Sequence, residues 1–476
     1  MSAAKLVSLP IVVCALMCLS ARAAEPDDSV EQPAKISYYR QIRPILQEHC
    51  HGCHQPAKAM GSLVLTSLDG MHKGGESEEP AVTAGNLEES LLVWQITPQD
   101  GDPPAMPKDA QPLSDASVAL IKQWISEGAG DDTPQSAQRA YDREHPPTYT
   151  QLPVLSAVDY SPDGSLLAVS GYHEVLLHSS DGSKLVGRLV GLSERIESIA
   201  FSPDGSLLAA TGGSPGQFGE VQIWNVAEQQ LAGSLPVTYD SIYGVSWSGD
   251  SKRIAFGCTD NTLRAIEVES SKQVLYQGAH SDWVLDTVWS ADSSHLVSVS
   301  RDRSMKLTEV ATERFVDNIT SITPGALKGG LMVVDRHPKQ DHLLVGGADG
   351  VPRLYQMHRT KARKIGDDFN RLRTYEAMPG RIFAVDFNAD GSRFVAGSSY
   401  NGDGEVRVYQ TDDAKIVSKF EGQGGAVYDV AFQPDGKQVA SVGFDGMIRL
   451  NDVETGKLVK ELFAVPLASG EVAAGE

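Results

Sequence analysis

Apolar and polar positions alternate in short runs through the last two thirds of the chain, and the pattern repeats. Each repeat has an apolar strand that ends at a polar turn, then a strand of small residues, then a third strand. Seven such turns follow one another at intervals of 41 to 51 residues, the period of a four-stranded blade. They begin at Tyr160, Phe201, Trp247, Trp289, Arg336, Phe387 and Phe432. Because one blade cannot bury both of its faces, the pattern predicts an all-β, seven-bladed propeller over residues 152–465.

The first third of the chain has apolar residues at helical spacing instead. The first predicted helix leads up to residue 50, and Pro44 suits its opening. A second helix is predicted to begin near Asn86, where Asn-Leu-Glu-Glu has a capping-box pattern. A third has Ser114 as its cap and Gly128 as its end. We therefore predict a small all-α domain over residues 35–130, a polar linker over 131–151 and a tail over 466–476.

The N-terminus has the pattern of an export signal. Lys5 precedes an apolar run over residues 6–19, and Ala21-Arg22-Ala23 matches the small-x-small pattern of a signal-peptidase site. A membrane span needs about 20 apolar residues, so this run is short for a retained anchor, which is the alternative. We predict a cleaved signal peptide over residues 1–23, a periplasmic or otherwise exported protein, and no membrane span after cleavage.

Charge narrows the classes of partner. The 476 residues carry a formal charge of -21, which becomes -23 once Lys5 and Arg22 leave with the signal. A strongly acidic surface repels phosphate, which argues against nucleic acid as a partner. The same charge would steer a basic redox partner protein, and it would also serve simply to keep an exported protein in solution.

The segment Cys50-His51-Gly52-Cys53-His54 carries the most specific chemistry. Two cysteines three residues apart, followed directly by a histidine, suit a covalently bound c-type haem: each thiol adds to one vinyl group, and His54 offers a ring nitrogen to the iron. Zinc is the alternative, because thiolates and imidazole are also zinc ligands. No second ligand pair follows, since the next cysteine is Cys258. The motif therefore predicts one haem c (iron) per chain.

A sixth iron ligand must come from the opposite face of the porphyrin. The candidates are Met60, Met71, His72 and Met106. Met60 follows His54 too closely, because six residues span at most about 20 Å when fully extended. Met106 is favoured, because prolines hold its segment extended just before the last helix. Methionine opposite histidine closes the iron to other ligands and favours electron transfer, whereas His72 would give a bis-histidine haem of lower potential.

Segments of the helical region resemble the planctomycete-type cytochrome c domain. They are residues 39–54, 84–92, 106–107 and 124–129, and the resemblance covers about a fifth of the chain. It implies haem c bound through Cys50 and Cys53, with His54 and Met106 as the axial ligands of the metal. The family often has Pro-Gly-Asp where this chain has Ala84-Gly85-Asn86, a difference at a helix entry and not at the iron. His51, inside the motif, is expected to face solvent.

The repeats resemble WD40 repeats. Residues 223–225, 408–409 and 450–452 stand at the usual Trp-Asp position, and 278–280 stand near the Gly-His position. Blade five has the weakest match, because it lacks the aromatic residue before its turn. Asp260, Asp302, Asp349 and Asp445 precede the third strands and are expected to hold tight turns. Cys258 is expected to be a buried apolar side chain.

These features favour an electron carrier over an enzyme. The sequence has no nucleophile elbow, phosphate loop or second Cys-x-x-Cys-His, so no catalytic residue is assigned. The propeller is expected to be a docking platform for partner proteins, with enlarged glycine-rich loops at residues 212–219 and 398–404, in blades two and six, flanking the channel mouth. The alternatives are a multi-centre oxidoreductase with its substrate site in the propeller, and a haem-linked sensor or scaffold.

Overall fold

The structure, a computed structural model, describes residues 35–468 apart from 57, 109, 135–140, 279, 324–325 and 365. The predicted signal peptide, part of the linker and residues 469–476 of the tail lie outside the described residues. From Ile36 onward the chain clusters into one compact unit, which contains both the helical region and the blades.

The N-terminal region is small and mainly helical. Its elements are a π-helical turn Tyr38–Ile42, α1 Arg43–His49, β1 His54–Gln55, β2 Lys58–Ala59, a 3-10 turn Met60–Ser62, α2 Leu68–Lys73, α3 Leu91–Gln95 and α4 Asp115–Ser126. As predicted, Pro44 lies in the first turn of α1, and the Ser114 side chain accepts the N–H of Ser117 at the start of α4. Tyr38 stacks on Trp124 with ring centroids 5.3 Å apart, which joins the first and last helices.

Two details of the helical prediction are wrong. The region is not all-α, because β1 and β2 form an antiparallel hairpin directly after the motif. The helix predicted near Asn86 begins only at Leu91. The Asn86 side-chain oxygen accepts the N–H groups of Glu88 and Glu89, and the Asn86 carbonyl accepts the Ser90 hydroxyl, so Asn86 organises a local turn and not a helix start.

The rest of the described chain is built from seven WD40-like blades of four antiparallel strands. Blades one and two share the long strand β6 and so form one sheet. Their strands are β3 Val158–Tyr160, β4 Leu166–Ser170, β5 Tyr172–Ser179, β6 Leu185–Phe201, β7 Leu207–Ser214, β8 Phe218–Asn225 and β9 Gln230–Thr238.

The five remaining blades are separate four-stranded sheets. Blade three has β10 Ile242–Trp247, β11 Arg253–Cys258, β12 Leu263–Glu267 and β13 Gln273–Gln277; blade four has β14 Val284–Trp289, β15 His295–Ser300, β16 Met305–Glu309 and β17 Arg314–Asn318. Blade five has β18 Leu331–Arg336, β19 His342–Gly347, β20 Arg353–Gln356 and β21 Arg371–Thr374. Blade six has β22 Arg381–Phe387, β23 Arg393–Tyr400, β24 Asp403–Gln410 and β25 Ile416–Lys419; blade seven has β26 Val427–Phe432, β27 Gln438–Gly443, β28 Met447–Asp452 and β29 Leu458–Phe463.

The repeated polar turn connects the first two strands of a blade. In blade two, the Asp204 carboxylate accepts the Ser202 hydroxyl at 2.7 Å and the Ser206 N–H at 3.0 Å, and Gly205 adopts the left-handed conformation with φ of +73°. The prediction for the four aspartates before the third strands is also confirmed. Each accepts the N–H two residues on, and they are Asp260, Asp302, Asp349 and Asp445.

The first and last blades are in contact. The Val158 N–H donates to Asp429 of blade seven at 2.8 Å, and the Leu155 N–H donates to the Gly443 carbonyl at 2.9 Å. Strand pairing within the described residues does not merge these two blades into one sheet. Blade seven completes itself with β29, while Tyr149 pairs in parallel with Leu467 outside the blades.

Side chains of the innermost strands link each blade to the next. In five of the seven junctions an aspartate accepts a backbone N–H of the following blade at 2.6 to 2.8 Å. These aspartates are Asp159, Asp286, Asp335, Asp386 and Asp429. Ser198 plays the same part between blades two and three, and Ser246 bonds Thr287 between blades three and four. We call the five carboxylates the inter-blade aspartates.

Burial keeps the inter-blade aspartates from ionising easily. It raises the pKa of Asp159 and of Asp286 to about 7, of Asp335 to about 6 and of Asp429 to about 8, and it raises the pKa of Asp386 as well. The hydrogen bonds from backbone N–H groups lower these pKa values. Repulsion between the carboxylates raises them further at all the inter-blade aspartates except Asp335. The folded chain therefore holds protons near neutral pH that the unfolded chain releases.

This proton uptake predicts that the free energy of unfolding falls as pH rises from about 5.5 to about 8.5, because the raised pKa values belong to the folded state. Replacing Asp429 with Asn keeps an acceptor for Val158 and removes the charge. We expect Asp429→Asn to shrink the pH dependence by at least about 1 kcal/mol in urea titrations. The control is Asp435→Asn, at an exposed turn of the same blade. An equal effect of both variants would contradict the prediction.

Candidate functional site

The two cysteines of the motif lie on a single turn that follows α1. The N–H groups of Cys53 and His54 both donate to the Cys50 carbonyl, at 3.1 and 3.0 Å. Cys50 is half-buried and packs against the apolar core of the helical region, whereas Cys53 is exposed. Burial raises the pKa of the Cys50 thiol to about 12, and Cys53 raises it further. Both cysteines are free, so two thiols remain for covalent attachment.

His54 has the surroundings of a neutral ligand. Its Nδ1 is enclosed and has no hydrogen-bond partner among the described residues. Burial lowers the pKa of the ring, although backbone groups of Leu63 and Met60 act in the opposite direction. A neutral imidazole is the form that binds a metal.

These three residues suit haem c better than zinc. Within the described part of the chain, the one group of three ligand atoms that lie within 4.8 Å of one another is Asp142, Glu144 and His145, so Cys50, Cys53 and His54 do not converge on one ion. Two separated thiols match the two vinyl positions of a porphyrin, and a buried imidazole nitrogen without a partner matches an axial ligand. The residues present therefore fit the cofactor that the motif predicts.

The candidates for the sixth ligand have different environments. Met106 is half-buried and packs against the same apolar core as Cys50, with its N–H on the Gln95 carbonyl at 3.0 Å. Met71 is fully buried in that core, whereas Met60 is 47% exposed and His72 is exposed. The structure thus brings Cys50 and Met106 to one cluster, and Met106 as an iron ligand stays a prediction.

His51 does not face solvent, so that expectation is wrong. It is 4% exposed, and its Nε2 lies 3.0 Å from the Leu65 carbonyl. Burial lowers its pKa to about 3, so the ring is neutral. The ring is buried because the Leu65 segment of the helical region covers it, and His51 also lines the cavity beside blades one and two.

The motif loop packs directly on blade two. A Cβ on Gly52 would lie 2.5 Å from the Ser234 carbonyl in β9, so only glycine permits this approach. Nearby, the Tyr239 hydroxyl donates to Glu48 of α1 at 3.0 Å. Sequence reasoning missed this contact and treated the helical region and the blades separately.

A buried polar network lies under the same contact. Glu220 and Gln55 are both buried, and Glu220 accepts hydrogen bonds from Ser193 and Gln222 at 2.7 and 2.8 Å and from Ser234. A glutamate inside an otherwise buried strand was the sequence signal that could have identified Glu220.

A cavity of about 860 Å³ lies between α1 and blades one and two. It is lined by aromatic and polar side chains, among them Tyr39, Arg43, Gln47, His173, Glu194 and Glu220. Its volume is in the range of small-molecule sites.

The enlarged loops of blades two and six have different surroundings. Gln217 and Phe218 of blade two lie beside α1 residues in the walls of this cavity. Blade six presents Tyr400, which is 58% exposed. The blade-two loop therefore faces the chain's own helical region.

Other residues of the blades have structural roles. His280 bonds Asp302 and Ser298 at 2.9 and 2.8 Å, and His178 lies 2.9 Å from the Ala464 carbonyl. Cys258 is fully buried, as predicted, and burial raises the pKa of its thiol to about 12. Among the described residues, no helix is both long and apolar enough to cross a membrane.

Comparison with protein families agrees with this geometry. Residues 50–110 match the model of planctomycete cytochrome C. Five segments match the WD domain, G-beta repeat: residues 183–216, 229–266, 271–308, 369–410 and 414–452. The chain joins a planctomycete cytochrome c domain to WD40 repeats. The matched segments of this cytochrome–WD40 chain leave out residues 309–368, which contain the first three strands of blade five, yet the structure has all three.

Curated relatives of the cytochrome–WD40 chain are distant. Periodic tryptophan protein 2 of Saccharomyces cerevisiae is 23% identical over 46% of this chain and 25% of its own length. Periodic tryptophan protein 2 of Arabidopsis thaliana is 25% identical over 51% of this chain and 25% of its own length. THO complex subunit 3 of A. thaliana is 22% identical over 46% of this chain and 79% of its own length. The chain thus spans a quarter of the first two of these relatives.

Because Gly52 lies so close to the Ser234 backbone, adding one methyl group at this position is predicted to destabilise the protein. Gly52→Ala places a Cβ against the backbone of Ser234, which has to move. We expect the free energy of unfolding in urea to fall by about 1–3 kcal/mol and protease cleavage near residue 50 to increase. Gly130→Ala is the control, because a Cβ there meets nothing within 4 Å. Equal stability of the two variants would contradict the proposed packing of the motif loop.

Proposed function

We propose that the protein is an exported c-type cytochrome with one covalently bound haem that transfers single electrons. One observation carries the proposal: two free thiols lie together on the turn after α1 with His54, whose ring Nδ1 has no partner among the described residues, in a region that matches a cytochrome family. Cys50 and Cys53 would hold the porphyrin, and His54 and Met106 would be the axial ligands. The haem, when bound, supplies one-electron redox chemistry.

The chain's own residues restrict what that site can do. Cys50 and Met106 belong to the apolar core of the helical region, which excludes water from one side of the site. A low dielectric and a closed iron both favour electron transfer over the binding of small ligands. The redox function is proposed from the cytochrome domain and not from the distant relatives.

We further propose that the seven blades form a closed propeller that serves as a docking platform for redox partner proteins. The hydrogen bond from Val158 to Asp429 and the apolar cluster shared by the first and last blades support closure. The net charge of -21 supports a basic partner. The signal-peptide pattern at the N-terminus supports export. Export would also be required for the cofactor, because haem c is attached outside the cytoplasm.

A second candidate is an oxidoreductase with a substrate site beside the haem. The 860 Å³ cavity next to His51 favours it. A second redox centre in the purified protein would support this candidate over a simple electron carrier.

The ligand set makes a direct spectroscopic prediction. The reduced protein should show the spectrum of a six-coordinate haem c that carbon monoxide leaves unchanged, because Met106 closes the iron. Met106→Ala should bind carbon monoxide readily and should show a changed spectrum without it. Met60→Ala is the matched control, since Met60 is exposed. Carbon monoxide binding by the unaltered protein, or a Met106→Ala spectrum like that of the unaltered protein, would remove Met106 from the site.

The loops give a prediction for docking. Replacing residues 398–404 of blade six with a short turn should weaken binding of a basic redox partner and leave the unfolding transition unchanged. Replacing residues 212–219 of blade two should instead destabilise the contact with α1, because this loop lies against that helix. Binding can be measured by the salt dependence of electron-transfer rates. Unaltered rates in the blade-six variant would contradict a docking role for this loop.

A further inference from the structure

The helical segment that leads into the motif has two distinct faces. On one face, residues at intervals of four pack in or against the apolar core of the helical region: Tyr38, Ile42, Leu46 and Cys50. The residues one position further along also recur at intervals of four, and all of them line the 860 Å³ cavity beside blades one and two: Tyr39, Arg43, Gln47 and His51. We call these four residues the polar stripe. A polar helix face that borders a cavity of this size is suited to bind a small molecule.

Arg43, in the middle of the polar stripe, has a donor that the chain does not satisfy. It is the one lysine or arginine among the described residues that line the cavity. Its guanidinium is charged at physiological pH and lies 5.3 Å from the centre of the Tyr39 ring. Its Nη1 is enclosed and has no hydrogen-bond partner among the described residues. Because an enclosed charged donor without an acceptor is costly, Arg43 is suited to a ligand that brings one.

The carboxylates that line the cavity do not supply this acceptor. Asp69 and Asp131 are exposed to water, and Asp131 already accepts the Thr133 N–H at 2.8 Å. Glu220 is buried, but it accepts three hydrogen bonds from its own sheet. Glu194 is half-buried. A solvated carboxylate needs no ligand, whereas the enclosed Nη1 of Arg43 lacks an acceptor, so the cavity is better matched to an anion than to a cation.

The same cavity has an aromatic wall formed by the end of the linker and by blade one. Tyr141, Tyr172 and His173 all line it. Their ring centroids lie 5.8 Å apart for the two tyrosines, 5.1 Å for Tyr141 and His173, and 4.5 Å for Tyr172 and His173. Burial lowers the pKa of His173 to about 4, so its ring is neutral at pH 7. Clustered neutral rings favour contact with another planar ring.

We propose that this cavity binds a small aromatic carboxylate, with its carboxylate on the guanidinium of Arg43 and its ring against the aromatic wall. The planar fork of an arginine matches the two oxygens of a carboxylate. The inference rests on the second candidate function above, for which it names the class of substrate. Binding itself needs no electron transfer.

Three probes that share one ring system test the class of ligand in calorimetric titrations of the haem-loaded full chain. They are 2-naphthoate, 2-naphthamide and 2-naphthylmethylamine. We expect one 2-naphthoate to bind per chain, at least about tenfold more tightly than the amide or the amine, because only the carboxylate brings a negative charge to Arg43. Failure of 2-naphthoate to bind, or tighter binding of the amine, would overturn the proposal.

Two variants test the residues. Arg43→Leu should weaken 2-naphthoate binding at least about tenfold. Arg40→Leu is the matched control, because it removes the same charge from an exposed arginine of the same segment that does not line the cavity. Tyr141→Leu should weaken binding about threefold through loss of the ring contact. Equal affinities in Arg43→Leu and Arg40→Leu, or an unchanged affinity in Tyr141→Leu, would contradict the assigned contacts.

Urea unfolding separates a binding role of Arg43 from a structural one. Without a probe, Arg43→Leu should unfold at a urea concentration no lower than the unaltered protein, because the replaced Nη1 had no partner. The rise in unfolding midpoint that 2-naphthoate gives the unaltered protein should be absent from Arg43→Leu. A lower midpoint together with unchanged affinity would make Arg43 a structural residue and overturn the inference.

Haem content is measured on the same samples. Protein that carries haem but does not bind 2-naphthoate would contradict this inference alone. Protein that binds 2-naphthoate but contains no haem would support the cavity site and contradict the proposed redox function.

Discussion

The rest of the structure depends on one constraint, the hydrogen bonds that join neighbouring blades. In these bonds a side chain of the innermost strand of one blade accepts a backbone N–H of the next blade. A single blade has two apolar faces and cannot bury them alone, so its stability comes from its neighbours. The inter-blade aspartates satisfy backbone N–H groups that would otherwise be buried without a partner, at a position where strand pairing cannot reach them. Such bonds join blade two to both of its neighbours, through Asp159 on one side and Ser198 on the other.

The helical region packs against blade two. Its motif loop has few contacts of its own, since Cys53 is exposed and β1 and β2 are only two residues each. Gly52 instead packs against the Ser234 carbonyl of blade two, and the Tyr239 hydroxyl bonds Glu48 of α1. The proposed redox site would need a fixed geometry, because reorganisation during electron transfer slows the reaction. Blade two contacts the motif loop at Gly52, and the apolar core of the helical region contacts Cys50 and Met106.

Sequence reasoning identified the features that depend on local patterns. The seven turns, Pro44 in the first turn of α1, the Ser114 cap of α4 and the turn aspartates all follow from short-range rules of spacing and capping. It failed where a contact joined distant segments. His51 was expected in solvent because it lies inside the attachment loop, and the Leu65 segment that covers it is distant in the sequence. Glu220 was overlooked because its hydrogen-bond partners Ser193 and Ser234 lie on other strands. The helix expected at Asn86 failed for a local reason, since its side chain caps a turn as readily as a helix.

The central claim is that Cys50 and Cys53 hold a single haem whose surroundings come from both parts of the chain. Mass spectrometry of the protein purified from a host that matures exported c-type cytochromes tests this claim most directly. The account predicts a peptide containing residues 50–54 that carries the mass of one haem on its two cysteines, with neither thiol open to alkylation. A peptide with both thiols free to alkylate, from protein that contains one zinc ion per chain, would contradict it.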